Sequence, residues 1–331
     1  MANKLIRSNQ TRGIRLIRTI NVTQDNQQET VDLPRGPHIE WCMVRVAGTI
    51  NVTTAFTATR SNGNYAILSR ADWILNSNVT LDSVSGFQIL QSYITRRNPP
   101  TFTTPGFGLG AQTFDTTYIL DRALMDMRRP KDSMLKTDVG VSNNQLRLQF
   151  GKLADMFTGA GVAAYTAVTA TVTIGDYQEA KDDSGDTPQP LYYIKRNGSR
   201  VPLPIAGNGQ QVKINTGNRL RFISVRILDG VTFEPNTALV SRLRVQRAGD
   251  TRVDVTVAEL LKLNQATYGY ILTTQCPGQV IVDFANAGQL SGVMYSEFWP
   301  IPSSADTFLL VDTTASTVLE ISTLEGVDFV S

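Results

Sequence analysis

The stretch IEWCMVRVAGTI, from Ile39 to Ile50, is nearly written again in the second half of the chain as LRFISVRILDGV, from Leu220 to Val231. Both alternate large apolar with polar residues, pass through Val-Arg-Val or Val-Arg-Ile, and then reach a glycine. Period-two alternation is the pattern of a strand with one buried face. A chain that repeats such a strand is constrained to build one β unit twice.

Further pairs keep the same order. NNQLRLQFG (Asn143 to Gly151) answers SADTFLLVDT (Ser304 to Thr313), and AVTATVTIGDYQ (Ala167 to Gln178) answers STVLEISTLEGV (Ser316 to Val327). Each half also breaks its strand pattern once for a helix. Val84, Phe87 and Leu90 fall at helical spacing behind Asp82 or Ser83 as N-cap, and Val257, Leu260 and Leu261 do so behind Thr256. Alternation alone is common to all β-sandwiches, but matched elements in one order, helix included, point to a tandem duplication.

Elsewhere Val, Thr, Ile and aromatic residues alternate with polar ones over short windows bounded by Gly, Asn, Pro and Asp, as in a sandwich or barrel of many short strands. In the first half this predicts strands at 39–48, 50–57, 65–69, 72–76, 78–82, 114–121, 123–128, 145–150 and 167–176. The acidic, proline-bearing EAKDDSGDTPQP (Glu179 to Pro190) reads as an exposed linker. The 331 residues then divide into a basic arm at 1–30, a first unit at 31–180, a linker at 181–190 and a second unit at 191–331.

Charged residues make up 18% of the chain and the net charge is +2, so no overall field steers nucleic acid or acidic substrates. The two cysteines, Cys42 and Cys276, lie one in each half and suggest neither a disulfide framework nor a zinc site. No long apolar run follows the first basic residues, which predicts neither a signal peptide nor a membrane span, and a protein soluble in the cytosol when made.

The one local charge asymmetry is the arm MANKLIRSNQTRGIRLIRTI, where Lys4, Arg7, Arg12, Arg15 and Arg18 all precede the first acid, Asp25. Interspersed with Leu and Ile, these cations suit an anionic lipid surface or nucleic-acid phosphates. They equally suit an arm docked along a strand edge or a neighbouring subunit, with its arginines paired or solvated.

Catalytic residue types are scarce. His38 is the only histidine, and in a strand it stands ~13 Å from Cys42 along one face, too far for a nucleophile and its base. GFGLGAQ (Gly106 to Gln112) lacks the Lys-Ser/Thr of a phosphate loop and reads as a long loop at one end of the first unit. Asp182, Asp183 and Asp186 offer hard oxygens to a structural calcium, but the remaining ligands are missing and a solvated linker is preferred. No other cofactor is implied. Trp41, Trp73 and Trp299 sit in apolar strand patterns that suit packing.

Two units in tandem, the motif VDLPRGPHIEWCMVRVAGTINVTTA (Val31 to Ala55) with its Leu33-Pro34-Arg35-Gly36 turn, and the basic arm together resemble the double jelly-roll major capsid proteins. These belong to tailless icosahedral viruses, notably membrane-containing bacteriophages of the tectivirus and corticovirus kind. The resemblance implies an all-β fold of two eight-stranded jelly rolls, each with a short helix, behind an N-terminal arm. It implies a homotrimer that presents six rolls as a pseudo-hexagonal tile. Neighbouring capsomers, penton and minor capsid proteins, an internal lipid membrane and, through the arm, the viral genome would be its partners. The protein would reside in the virion capsid after synthesis and assembly in the host cytoplasm, and would not be an enzyme.

Two other readings stay in view. A glycan-binding spike or lectin-like sandwich predicts aromatics on loops beside carboxylates or amides. A glycan-processing hydrolase on a tandem jelly roll needs paired carboxylates, and Asp82, Asp121, Asp126 and Glu259 are scattered in sequence.

Overall fold

A computed structural model describes residues 11–36, 38–93, 102–122, 134–137, 140–178, 192–214, 219–247, 249–269, 276–284 and 306–328. The first unit holds β1 (Thr11–Val22), β2 (Gln28–Asp32), β3 (His38–Thr54), β4 (Ala58–Thr59), β5 (Leu68–Leu75), β6 (Val79–Val84), α1 (Gly86–Tyr93), β7 (Gly110–Asp121), β8 (Asn144–Phe150), β9 (Phe157–Thr158) and β10 (Val162–Gln178). The second holds β11 (Tyr192–Leu203), β12 (Gly207–Ile214), β13 (Arg219–Asp229), β14 (Val240–Arg247), β15 (Asp250–Thr256), α2 (Val257–Tyr268), β16 (Gln279–Asp283), β17 (Thr307–Thr313) and β18 (Thr317–Asp328).

Each unit is a jelly roll of two facing four-stranded sheets. In the first roll β1-β10-β3-β7 faces β2-β8-β5-β6, and in the second β11-β18-β13-β16 faces β12-β17-β14-β15. The two orders are the same series, so β3 and β13, which carry the repeated strand, fill one slot. Their registers agree residue by residue: Arg45 lies opposite Thr171 and Arg226 opposite Glu320, while Trp41 lies opposite Asp121 and Phe222 opposite Asp283.

The rolls are not merely tethered. Strand β6 of the first pairs in parallel with β11 of the second, which fuses two sheets into one of eight strands, β16-β13-β18-β11-β6-β5-β8-β2. Hydrophobic packing follows the same seam. The first roll's core includes Val44, Trp73, Tyr118 and Phe150, and it also takes in Ile194, Phe222, Ile281 and Leu324 from the second roll. A separate cluster around Ile223, Leu243, Leu309 and Leu319 fills the second roll.

Several expectations are corrected. Residues 11–22, expected in the arm, form an edge strand of the first roll, because Ile20 and Val22 are buried and Ile17 packs on the core. The strands expected at 39–48 and 50–57 are one continuous β3. Gly48, at φ +153°, lets β10 lie so close that an added Cβ would stand 2.0 Å from the Ala167 carbonyl. Residues 63–67 form a 3-10 turn that leads into β5. Helix α1 is capped by Ser85 and not by Asp82 or Ser83: the Gln88 N–H donates to Ser85 Oγ and the Ser85 N–H to Gln88 Oε1. Residues 123–128 and the linker at 181–190 lie outside the described residues.

Thr256 caps α2 as expected, with a capping box to Glu259. Thr256→Ala is expected to cost about 1 kcal/mol in chemical denaturation, with α2 fraying first in hydrogen exchange.

Candidate functional site: the joint between the rolls

Three charged side chains from both halves meet where β6 and β11 touch. Asp82 of β6 is fully buried and contacts Arg122, just past β7, and Arg196 of β11 at 3.4 Å. Register explains the meeting, since Arg196 stands directly opposite Asp82 in the parallel pair. The arginines also tie the backbones together: Arg122 donates to the Ile194 carbonyl at 2.7 Å and Arg196 to the Asp121 carbonyl at 2.8 Å. The Arg122 guanidinium lies 4.4 Å from the centre of the Trp73 ring, whose indole N–H donates to Asn144.

Burial holds Arg122 well below its ordinary pKa, with the charge of Arg196 adding to the effect, and burial lowers Arg196 to about 10. Two crowded cations are stable there only because Asp82 lies between them. None of these three was singled out for this role from the sequence. A charged residue at an inward parity in VTLDSV was the available signal, but its partners lie on distant strands.

Helix α1 seals the same seam. Gln88 donates to the carbonyls of Ser199 and Ile321, and Gln91 to that of Glu320. Beside it, Arg226 pairs with Glu320 at 3.2 Å and lies 4.2 Å from the Phe87 ring centre. Phe87, Gln88, Ser199, Arg226 and Glu320 line a cleft of about 600 Å³ between the rolls, together with Arg60, Arg70 and Phe233.

The joint also sets polarity. The end of β3 lies beside the starts of β7 and β10, and the end of β6 lies beside Tyr65. Strands β3, β6, β11 and β13 therefore run the same way, and the two rolls stand upright side by side. At the end where β3 and β13 finish sit exposed apolar side chains, Phe107, Leu109 and Val162 on one roll and Ile205, Val231 and Phe233 on the other. At the opposite end β1 and β11 begin and β10 and β18 finish.

Of the arm cations, Arg12, Arg15 and Arg18 lie on β1, each beside a carboxylate. Arg12 pairs with Glu40 at 3.1 Å, Arg15 with Asp176, and Arg18 with Glu29 at 3.0 Å. Such half-exposed pairs add little stability, but they offset the charge of this segment. Lys4, Arg7, Asp182, Asp183, Asp186, Asp126 and Trp299 lie outside the described residues. Among the described residues no cluster of three or more His, Cys, Asp or Glu is arranged to hold a metal ion. Trp73 is buried, and Trp41 is half-buried on the outer face of β3. Of the other scattered carboxylates, Glu259 caps α2 and Asp82 is locked between arginines.

Asp82→Asn is expected to destabilise the fold by about 3–5 kcal/mol, because two buried cations lose their counter-charge. The triple change Asp82→Leu, Arg122→Met, Arg196→Met is expected to recover most of that loss, as measured by urea unfolding. A loss below about 1 kcal/mol for the single variant would show that the ion cluster does not secure the joint. Burial pushes both thiols, Cys42 and Cys276, up to about 12. At pH 8 both stay protonated and shielded, so a maleimide is expected to label neither in the native protein and both after unfolding.

No protein-family model matches the sequence, and no curated protein matches it. Solved structures do. The STIV MCP superposes with a TM-score of 0.68 at 16% identity, over 96% of this chain and 96% of that one. The major capsid protein of Bacteriophage PM2 does so at 0.63 and 12%, over 97% and 98%. The PBCV-1 virus capsid gives 0.64 and 11%, over 96% and 94%. Similar scores for a bacteriophage and other viruses do not single out the tectivirus or corticovirus lineage. At these identities the likeness is one of fold, and it spans nearly the whole of each chain: the architecture is the double jelly roll of the major capsid proteins.

Proposed function

We propose that this chain is the major capsid protein of a tailless icosahedral virus, and that it works as a homotrimeric, pseudo-hexagonal tile. The observation that carries this reading is the joint. A sheet that runs unbroken from one upright roll into the next makes the chain a rigid two-roll block, the unit from which a six-roll tile is closed. Likeness of fold to major capsid proteins over nearly the full length supports it.

Tiles of this kind would meet one another, penton and minor capsid proteins through their side walls, and the protein would reside in the virion capsid after synthesis in the host cytoplasm. The end where β1 begins would face the interior. Lys4 and Arg7, which precede β1, would there contact an internal membrane or the genome, with ~1 kcal/mol per basic residue on an anionic surface. Arg12, Arg15 and Arg18 would add less, since their charge is already offset. A bacteriophage is in keeping with the PM2 likeness, and the internal membrane is what the sequence resemblance implies. Against the rival readings, Trp73 is buried and Trp41 lies on a strand; of the carboxylates that line the cleft, Asp155, Glu234 and Glu320, the last is paired with Arg226.

Light scattering on the purified protein is expected to give three chain masses, stable to dilution. A monomer that persists at high concentration would overturn the tile and turn attention to glycan arrays and hydrolase assays.

A further inference from the structure

The two rolls are built alike but are not equally covered, and the difference maps a missing neighbour. Register fixes which positions correspond. Trp73 and Asp82 face each other across β5 and β6 as Val245 and Val253 do across β14 and β15. Arg122 follows β7 and bonds the Glu40 carbonyl, as Phe284 follows β16 and bonds that of Arg221. On the first strands, Ile14 lies opposite Gly175 as Arg196 lies opposite Leu324, and both partners sit one residue along from matched positions, Ile174 and Thr323. Thus Ile14 corresponds to Arg196, and Arg15 to Asn197.

Equivalent surfaces then differ in burial. On the outer face of the second roll's sheet, Arg196, Phe222, Ser224 and Arg226 are 3%, 2%, 0% and 6% exposed, because β6 and α1 of the first roll cover them. On the first roll, the corresponding Ile14 is 75% exposed, Trp41 and Met43 are half-buried, and Arg45 is exposed. The helices show the reverse asymmetry. Nearly every residue of α1 is buried, whereas α2 buries only Val257, Leu260, Asn264 and Tyr268 and leaves Leu263 41% exposed. Among the described residues strands β1 and β15 are both sheet edges, each with one side of its backbone unpaired.

We propose that a second copy of this chain fills this gap: its β1 adds in parallel to β15 of the first copy, repeating the β6–β11 joint between subunits. Carrying over the observed register places Ile14 opposite Val253 and Arg15 opposite Asp254. The chemistry of the two joints then differs in a defined way. Within the chain, Trp73, Asp82, Arg122 and Arg196 form a buried ion cluster. Between copies, Val253 and Phe284 of one subunit, backed by the buried Val245, and Ile14 of the next form an apolar one, flanked by Arg15 and Asp254, which are already paired with Asp176 and Arg242 of their own chains. Helix α2 takes the place of α1 and covers Trp41, Met43 and Arg45 of the neighbour. An apolar seam suits a contact that must form from separate, folded, water-exposed partners, since no unpaired charge has to be stripped of water at its centre, and Arg45, which α2 would cover, is already paired with Asp115. The contact is head-to-tail, which closes into a ring when the rotation between copies allows it, and three chains of two rolls complete six positions. This inference names the contact inside the proposed tile and rests on that reading.

The test uses the full chain carrying Ile14→Cys and Val253→Cys, oxidised mildly and run on non-reducing gels; the native thiols are buried. Directly opposed strand residues lie within disulfide reach, and positions two residues along do not. Covalent dimers and trimers are expected for this pair, and none for Ile14→Cys with Val255→Cys. Ile14→Asp is expected to leave the melting temperature of the single chain unchanged and to weaken trimer formation at least tenfold. A native trimer by mass that fails to cross-link at Ile14 and Val253, or that tolerates Ile14→Asp, would overturn this contact and leave the tile standing. A native monomer would overturn both.

Discussion

Two residue pairs, Asp82 with Arg196 and Ser83 with Asn197, make the parallel contact on which the rest of the molecule depends. The contact is short, but it decides that two sandwiches become one sheet of eight strands. Buried charge strengthens its selectivity. Each ion costs several kcal/mol to strip of water, and the cost is offset only when Asp82, Arg122 and Arg196 adopt one arrangement. A slip of the seam by one residue would set the buried Arg196 opposite Leu81 or Ser83 and away from its counter-charge.

From that seam follow the molecule's polarity and its asymmetry of cover. Because the pairing is parallel, both rolls stand with their exposed apolar loop residues at one end and their first strands starting at the other. One roll's helix is sandwiched and the other's is half bare. The same architecture thus contains a finished joint and an open copy of it, which is the property a tile-forming block requires. In the proposed tile, duplication would supply the symmetry, and the divergence from charged to apolar residues would distinguish the joint within the chain from the one between copies.

Much of this was legible from residues alone wherever the signal is local. Period-two alternation located β3, β8 and β10, and Thr256 ahead of Val257, Leu260 and Leu261 located α2 and its cap. Local signals also misled. Gly48 looked like the end of a strand, yet it marks a close approach to β10 inside a longer one. Asp82 looked like a helix cap, yet Ser85 takes that role. The arm suited either an anionic surface or a docked strand edge, and from Thr11 onward it is an edge strand whose arginines face Glu40, Asp176 and Glu29.

The sequence by itself determined that the chain is all-β and built twice, because alternation and its repetition are properties of neighbours along the chain. Only the tertiary structure decided how the halves join, that Asp82, Arg122 and Arg196 converge, and which outer face is left bare. Those facts depend on contacts between residues far apart in sequence, where strand pairing and burial, and not local preference, choose the partner.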